Sequence, residues 1–146
     1  MMLRRILFGS DVNGSSLAIM GLTLLRVFTG IGLITHGFTK LPPSAGFIEG
    51  VGKIGFPVPI VFAWAAALAE AAGGALLMVG LFTRPAAFFV LFTMVTAVLG
   101  VHFNDPFARK ELGLLYGFLA LAFLLMGAGQ WSIDALVGSN SGKRRR

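Results

Sequence analysis

The chain alternates between long apolar stretches and short breaks that are rich in glycine, proline and charged residues. Four apolar stretches come close to the roughly 20 residues that a helix needs to cross the hydrocarbon core of a bilayer. They cover about 17–38, 58–82, 86–103 and 112–129. Because a bilayer offers no water to unpaired backbone groups, stretches of this kind are helical. The pattern therefore predicts an all-α fold, a bundle of four transmembrane helices.

The loop between the first two stretches has a pattern of its own. Apolar residues recur in it at helical spacing: Phe47, Ile48, Val51 and Ile54. Glu49 and Lys53 fall elsewhere on the same helical wheel. One apolar and one polar face are typical of a helix that lies in the membrane interface. We expect a short amphipathic interfacial helix in this first outer loop, covering the outer mouth of the bundle.

The composition also indicates a membrane protein. Of the 146 residues, 56% are hydrophobic and 12% are charged, and the mean hydropathy is +0.85. A water-soluble domain has about 25% charged residues. The formal net charge is +6, but four of the 12 basic residues form the terminal run 143–146. Such a run favours attraction to anionic lipid, so we expect the bilayer as a partner and no nucleic acid.

The basic residues outside the apolar stretches predict the orientation in the membrane. With both termini cytoplasmic, that side holds seven of them: Arg4, Arg5, Arg84 and 143–146. The other side holds four: Lys40, Lys53, Arg109 and Lys110. We therefore expect a multi-pass protein of the cell (inner) membrane. It would have a cytoplasmic N-terminal segment (1–16), a membrane domain (17–134) and a basic cytoplasmic tail (135–146).

The N-terminus also has one feature of a signal peptide, because Arg4 and Arg5 precede an apolar run. That run continues for about 20 residues, which is longer than a typical signal-peptide core, and no Ala-x-Ala cleavage site follows it. We therefore expect the run to be retained as the first helix.

Two charged residues fall inside the predicted crossings. At a rise of 1.5 Å per residue, Arg26 lies roughly 14 Å and Glu70 roughly 18 Å from the cytoplasmic ends of their crossings. Charged residues at such depths face the bundle interior and pair. We therefore predict an Arg26–Glu70 ion pair in the bundle core. Whether this pair only fixes the helix register or also takes part in a proton or ligand path stays open.

Three polar side chains lie near the outer ends of the first and third crossings: His36, Lys40 and His102. We expect them to converge below the amphipathic loop and to form a ligand site. The alternative is that they only anchor the helix ends at the interface. Two histidines on facing helices can also ligate haem b from both sides, which is a second candidate cofactor beside quinone. We interpret the phenylalanines as ordinary lipid-facing or packing residues.

At the cytoplasmic end we expect a structural contact between Arg84 and Asp134. Ser132 can cap a short helix whose first turn contains Asp134, a favourable place for a carboxylate. Arg84 lies in a tight turn at the same depth. Because an exposed ion pair contributes less than ~1 kcal/mol, the expected role is to position the fourth crossing against that turn.

The residue inventory limits the chemistry that the chain can perform. Cysteine is absent, which excludes disulfides, thiolate metal sites and thiol catalysis in this chain. The sequence contains no P-loop, no dinucleotide-binding glycine motif and no His-Glu-x-x-His, and we predict no metal site. No side chain here carries electrons by itself. If the protein takes part in a redox reaction, a partner or a bound cofactor must supply the electrons.

Four segments in sequence order carry a resemblance to a known family. They read LRVFTGIGLITHGFTKL, GFPVP, LAEAAGGALLMVGLFTRPAA and GAGQWSID, and they span about residues 24–134. Together they resemble the successive motifs of the DoxX family of small four-helix membrane proteins. The resemblance marks these motif positions: Arg26, His36, Gly37, Lys40, Glu70, Gly73, Arg84 and Asp134.

The resemblance implies a redox context more than a defined reaction. Some DoxX relatives are quinone-reducing subunits that act on thiosulfate. Others belong to membrane oxidoreductase complexes with soluble thiol and radical-handling enzymes, and related eukaryotic proteins assist receptor assembly. We therefore expect a membrane subunit of a redox-associated complex that binds a quinone-like or small amphipathic ligand near the outer face. The alternative is a non-catalytic protein that assembles partner proteins, and either role suggests protein partners or a homo-oligomer.

Overall fold

The computed structural model describes residues 14–139, apart from the side chain of residue 139. This part of the chain is helical and contains no strand, so the predicted all-α class is confirmed. The helices within it, in chain order, are α1 (Ser16–Thr39), α2 (Ala45–Lys53), α3 (Pro59–Val79), α4 (Thr83–Thr96), α5 (Phe107–Met126) and α6 (Ile133–Ser139). A π-helical turn, Ala97–Val101, continues α4. Arg4, Arg5 and the basic run 143–146 lie outside the described residues.

Three of these helices are long and apolar enough to cross a membrane. They are α1, α3, and α4 together with its π-helical turn (Thr83–Val101). The stretch predicted at 112–129 forms α5, but this helix begins five residues earlier and ends at Met126. Its first turns carry three charged residues, Arg109, Lys110 and Glu111. The apolar pattern located only the apolar part of α5, because backbone hydrogen bonds continue through the charged turns.

Local signals explain where the helices begin and end. The Ser15 hydroxyl accepts a hydrogen bond from Ala18 N at the start of α1, and the Ser44 hydroxyl accepts one from Phe47 N at the start of α2. Both are N-caps of the preferred kind. Gly80 ends α3 with a left-handed φ of 70°, a conformation that glycine adopts without the steric cost of a side chain.

The closest helix packing in the molecule joins α1 to α3. A Cβ atom built on Gly30 would lie 2.6 Å from Gly74 O, and one built on Gly74 would lie 2.8 Å from Leu33 Cβ. Gly37 is equally tight against the backbone of Ala71. Small residues at such positions allow two helix backbones to approach closely. Because rising numbers on α1 meet falling numbers on α3, the two helices are antiparallel.

A second antiparallel contact joins α4 to α5. A Cβ atom on Gly113 would lie 2.8 Å from Val98 Cγ2, and one on Gly117 would lie 3.5 Å from Met94 Cβ. The buried hydrophobic core includes residues of α1, α3, α4 and α5: Leu33, Leu77, Val90, Met94, Ala120 and Phe123. The bundle therefore has one continuous core.

The amphipathic pattern of the first loop appears as α2. Val51 is buried against α3, while Glu49 and Lys53 are exposed and form an ion pair of 2.7 Å along the helix surface. The apolar face of α2 thus packs on the bundle. We refer below to the end of the bundle that contains α2 and the C-terminus of α1 as the Lys40 end. The opposite end, with α6 and the C-terminus of α3, is the Asp134 end.

The α1–α3 contact predicts opposite effects for two glycine substitutions on the same helix. Gly30→Ala should destabilise the protein by about 1–3 kcal/mol, because the new methyl group meets backbone atoms of α3 that cannot move independently. Gly21→Ala should be neutral or stabilising by up to ~1 kcal/mol, since no atom lies within 4 Å of its Cβ position and alanine favours helix. Thermal unfolding in detergent measures both. Equal effects would contradict the proposed role of Gly30.

Candidate functional site

Glu70 carries a buried carboxylate in the middle of α3, level with the C-terminal part of α1. Lys40 Nζ donates to both of its oxygens, at 2.5 Å to Oε1 and 2.7 Å to Oε2. The Glu70 side chain is only 3% exposed, whereas that of Lys40 is 37% exposed. Lys40 is the C-cap residue of α1. The pair therefore ties the end of α1 to α3, with one ion buried and the other at the edge of the protein.

The predicted Arg26–Glu70 pair is not formed, because the register of the helices differs from the expected one. The prediction placed the cytoplasmic ends of the two crossings at the same level. In the structure Gly37 packs against Ala71, while Arg26 already reaches the last turn of α3. Helix α1 thus extends beyond α3 by more than two turns. Glu70 lies level with Gly37, roughly 17 Å along the α1 axis from Arg26.

Arg26 instead caps the C-terminus of α3. Its Nη1 donates to the carbonyl oxygens of Leu77 at 2.6 Å and Met78 at 2.9 Å, and its Nη2 donates to Trp131 O at 2.8 Å. The residue is 2% exposed. The last carbonyls of a helix lack intrahelical partners and carry partial negative charge. The guanidinium satisfies both needs and also holds the segment before α6 against the bundle.

Asp134 has the complementary role at the start of α4. Its Oδ1 accepts from Phe82 N at 2.8 Å and its Oδ2 accepts from Thr83 N at 2.9 Å, and its own N–H donates to Gly80 O at 2.8 Å. The first N–H groups of a helix are unpaired and favour a carboxylate. Asp134 therefore caps α4 from outside that helix. We refer to Arg26 and Asp134, with the turn 80–82 between them, as the turn clamp.

The predicted Arg84–Asp134 contact takes a different form. Arg84 Nη2 donates to Leu125 O at 3.0 Å, while Asp134 binds the backbone of the two residues that precede Arg84. The predicted cap of the short helix is present, since the Ser132 hydroxyl accepts from Ala135 N at 3.2 Å. The expected tie between this region and the turn thus exists, but backbone N–H groups make it.

The three residues of the predicted outer ligand site lie at the Lys40 end but have different partners. Lys40 binds Glu70. The His36 ring packs edge-to-face against Tyr116 of α5, with centroids 5.8 Å apart. His102 Nδ1 lies 2.7 Å from Asp105 Oδ2, and this hydrogen bond holds the pKa of Asp105 below its ordinary value. The structure does not bring the two histidines together with Lys40 in one site.

A cavity of about 380 Å³ lies beside the Lys40–Glu70 pair, between α2, α3 and α4. Lys40 and Glu70 both belong to its wall. Most of the remaining wall is apolar, and six phenylalanines line it: Phe47, Phe56, Phe62, Phe88, Phe89 and Phe92. Its size falls in the range of small-molecule sites, which combine apolar walls with a few polar groups. His36 and His102 are not among the lining residues.

Other parts of the described chain offer less to a ligand. A second cavity, of about 270 Å³, lies between α4 and α5 and has only apolar side chains and glycines in its wall. It therefore has no side-chain hydrogen bond to offer. Within residues 14–139, no three histidine, aspartate or glutamate side chains are grouped as metal ligands would be.

One sequence feature of this site, a row of small residues on α3, was not recognised in the hydrophobic pattern. Phe62, Ala65, Ala66 and Ala69 follow one another at helical spacing on the face of α3 that also carries Glu70. A row of alanines opposite phenylalanines leaves space next to that carboxylate. Six of the phenylalanines that we interpreted as ordinary lipid-facing or packing residues therefore form part of the wall of the candidate site.

The two possible partners of Glu70 are distinguished by double substitutions. Lys40→Met and Glu70→Leu should each destabilise the protein, because each leaves an unpaired ion in a poorly hydrated place. The double variant should recover much of the loss. In contrast, Arg26→Leu and Glu70→Leu should be additive, since the two side chains do not touch. Thermal unfolding in detergent gives both coupling energies, and coupling between Arg26 and Glu70 would contradict the register described here.

The turn clamp predicts that an isosteric substitution of Asp134 lowers the free energy of unfolding. Asp134→Asn should destabilise the protein by about 1–3 kcal/mol, because the amide replaces one of two acceptors by an N–H group that faces another donor. Glu49→Gln serves as the control, with no measurable change expected, since its ion pair with Lys53 is exposed and exposed pairs contribute little to stability. Unfolding by heat in detergent would show the difference, and an unchanged Asp134→Asn variant would exclude the clamp.

Comparison with known proteins shows which sequences this chain resembles. The chain is 32% identical over 119 residues to a Bacillus subtilis protein named "Putative oxidoreductase CatD", covering 81% of this chain and 87% of that protein. It is 30% identical over 124 residues to "Inner membrane protein YphA" of Escherichia coli, covering 77% and 87%. An uncharacterized Haemophilus influenzae protein is 36% identical over 121 residues, with the same coverage of 77% and 87%.

The family assignment follows from these relatives and from a direct family match. No solved structure shows a significant match to the chain. The family model for DoxX matches residues 21–103. This range includes most of α1, all of α2, α3 and α4, and the Lys40–Glu70 pair. The resemblance seen in the sequence motifs is thereby confirmed: this chain is a membrane protein that belongs to the DoxX family.

Proposed function

We propose that this protein binds a small amphipathic, quinone-like ligand in the cavity beside the Lys40–Glu70 pair, as the membrane subunit of a redox-associated complex. The observation that carries the proposal is one ion pair in the wall of a cavity that is otherwise lined mainly by aromatic and aliphatic side chains. Such a site suits a ligand with a flat apolar body and a small polar head. The ligand site of the sequence prediction is thus proposed again, with Lys40 kept and Glu70 in place of the histidines.

The ion pair can form hydrogen bonds with both the oxidised form (quinone) and the reduced form (quinol) of such a ligand. Lys40 has three N–H donors, and within the described residues two of them are used, both by Glu70. The third is free to donate to a quinone carbonyl oxygen. Each Glu70 oxygen accepts one hydrogen bond from Lys40 and has a further lone pair for the hydroxyl group of a quinol. The phenylalanine rings offer stacked and edge-on contacts to the ligand ring.

The redox part of the proposal assigns no electron carrier to this chain. Quinone supplies two-electron chemistry when it is bound, and what the residues of this chain contribute is binding, orientation and exchange of protons at Lys40 and Glu70. The electrons would come from a partner protein or from a cofactor held there. The name of the Bacillus subtilis relative, an oxidoreductase, supports this context. Haem is not favoured by the geometry, because His36 and His102 bind different neighbours.

The same proposal includes the arrangement in the membrane. We infer that α5 is the fourth crossing of a domain at 17–134, with the charged residues of its first turns in the headgroup region, where Lys and Arg are tolerated. The Lys40 end then faces outward, α2 lies in the outer interface, and both termini are cytoplasmic. The α6 region and the turn clamp would lie at the cytoplasmic surface.

A binding measurement tests the ligand site. Purified protein should bind decylubiquinone, and the double variant Lys40→Met/Glu70→Gln, which removes both charges together, should bind it at least ~10-fold more weakly. Loss of a charge-assisted hydrogen bond is worth about 1.5–3 kcal/mol, which corresponds to this factor or more. Quenching of intrinsic tryptophan fluorescence or calorimetry measures the affinity.

Two histidine variants are the controls for this measurement. His36→Ala and His102→Ala should each change the affinity by less than about two-fold, because neither side chain lines the cavity. A large loss in His36→Ala with a normal double variant would contradict the proposal and restore the histidine site. Absence of binding, together with co-purification of a stoichiometric partner that carries all the activity, would favour a non-catalytic assembly role.

A further inference from the structure

The cavity beside Lys40 and Glu70 is covered on its α2 side. Phe47, Val51 and Ile54 of this segment all belong to the cavity wall, and Val51 is only 6% exposed. Ile54 is in close contact with the π-helical turn, since a Cβ atom on Gly100 would lie 2.7 Å from Ile54 Cγ2. The Lys40 ammonium group also lies 6.0 Å from the Phe47 ring centroid. Entry from this side would require α2 to separate from several contacts.

The cavity wall that α3 and α4 form is more exposed than the wall on the α2 side. Phe88, Phe89 and Phe92 line the cavity and are nevertheless 52%, 59% and 53% exposed. On α3, the cavity wall includes the small residues Ala65, Ala66 and Ala69, and Ala65 and Ala69 lie one helical turn apart. Since α3 and α4 both belong to the candidate membrane spans, this exposed apolar surface faces hydrocarbon rather than water.

From these two walls we infer that the ligand enters from the bilayer, through the gap between Ala65 and Ala69 of α3 and the three exposed phenylalanines of α4. We call this gap the lateral portal. The ligand class is then a membrane-dissolved lipid with a small polar ring and a long apolar tail, rather than a water-soluble metabolite. This inference rests on the proposed function, because it concerns the same cavity.

The lateral portal also assigns a position to each part of the ligand. Ala69 is directly followed by Glu70, so a head group that passes the alanines arrives at the ion pair. The tail remains between the alanines and the phenylalanines, with its far end in lipid. Ala65 and Ala69 therefore determine specificity, because a larger side chain at either position narrows the space for a tail without touching the polar pair.

A comparison of ligands with and without a tail tests this arrangement at equilibrium. Decylubiquinone should bind at least ~10-fold more tightly than ubiquinone-0, which has the same ring and no tail. In Ala69→Leu this difference should shrink to less than about three-fold, because the larger side chain occupies the space of the tail. Ala108→Leu is the matched control, since Ala108 is exposed on α5 and lines neither cavity, and it should preserve the full difference.

A reversible cross-link tests the route of entry in one and the same protein. The chain contains no cysteine, so Ile54→Cys/Gly100→Cys introduces a single pair, at two positions whose side chains would be in contact. Oxidation would fix α2 to the π-helical turn. The exchange rate of decylubiquinone from lipid nanodiscs should change less than two-fold between the oxidised and reduced forms, whereas Ala69→Leu should slow exchange by at least ~10-fold.

Several outcomes would overturn the inference. A cross-link that slows exchange ten-fold would show that the ligand passes under α2, and equal affinities for the two quinones in the parent protein would show that the tail has no site. These results differ from a failure of the proposed function itself. If decylubiquinone binds to none of the proteins, the ligand site is wrong; if it binds and Lys40→Met/Glu70→Gln weakens it, only the route is in question.

Discussion

The close antiparallel contact between α1 and α3 is the constraint on which the rest of the structure depends. Gly30, Gly37 and Gly74 let the two backbones approach so closely that a single methyl group at Gly30 or Gly37 would meet main-chain atoms. Such a contact allows only one register. That register carries Lys40 to the level of Glu70 and Arg26 to the end of α3, and so it decides the partner of each buried ion.

The two ends of the bundle use their charges differently. At the Asp134 end, the guanidinium of Arg26 lies at the negative end of α3, and the carboxylate of Asp134 lies at the positive end of α4. Both ions bind backbone groups that the helices leave unpaired, and they attract each other across the tight turn. The clamp therefore supplies hydrogen-bond partners to backbone groups on both sides of a three-residue connection between two long helices.

The sequence was sufficient to locate the helices, but it was insufficient to predict which charged residues pair. The apolar periods located α1, α3 and α4 to within a few residues, and the pattern Phe47, Ile48, Val51 and Ile54 located α2 and its buried face. The predicted Arg26–Glu70 pair was wrong because the prediction compared the depth of each residue along its own helix and did not know how the two helices are shifted. The actual register differs by about two turns and is set by glycine contacts that span about two helix turns. In this register backbone carbonyls, rather than Glu70, are the partners of Arg26. No local pattern encodes that shift.

The cavity was missed for a related reason, because phenylalanine and alanine are the same residue types in a wall as in a packed core. Here the ion pair beside these residues distinguishes the cavity wall from a packed core. Arg26 and Asp134 satisfy helix ends, so the fold needs their charges. Lys40 and Glu70 satisfy chiefly each other, and a buried pair of that kind is often replaceable by apolar residues without loss of stability. Since packing alone would be served as well by two apolar side chains, the placement of this pair in a cavity wall is the reason for our proposal that it binds the polar head of a ligand.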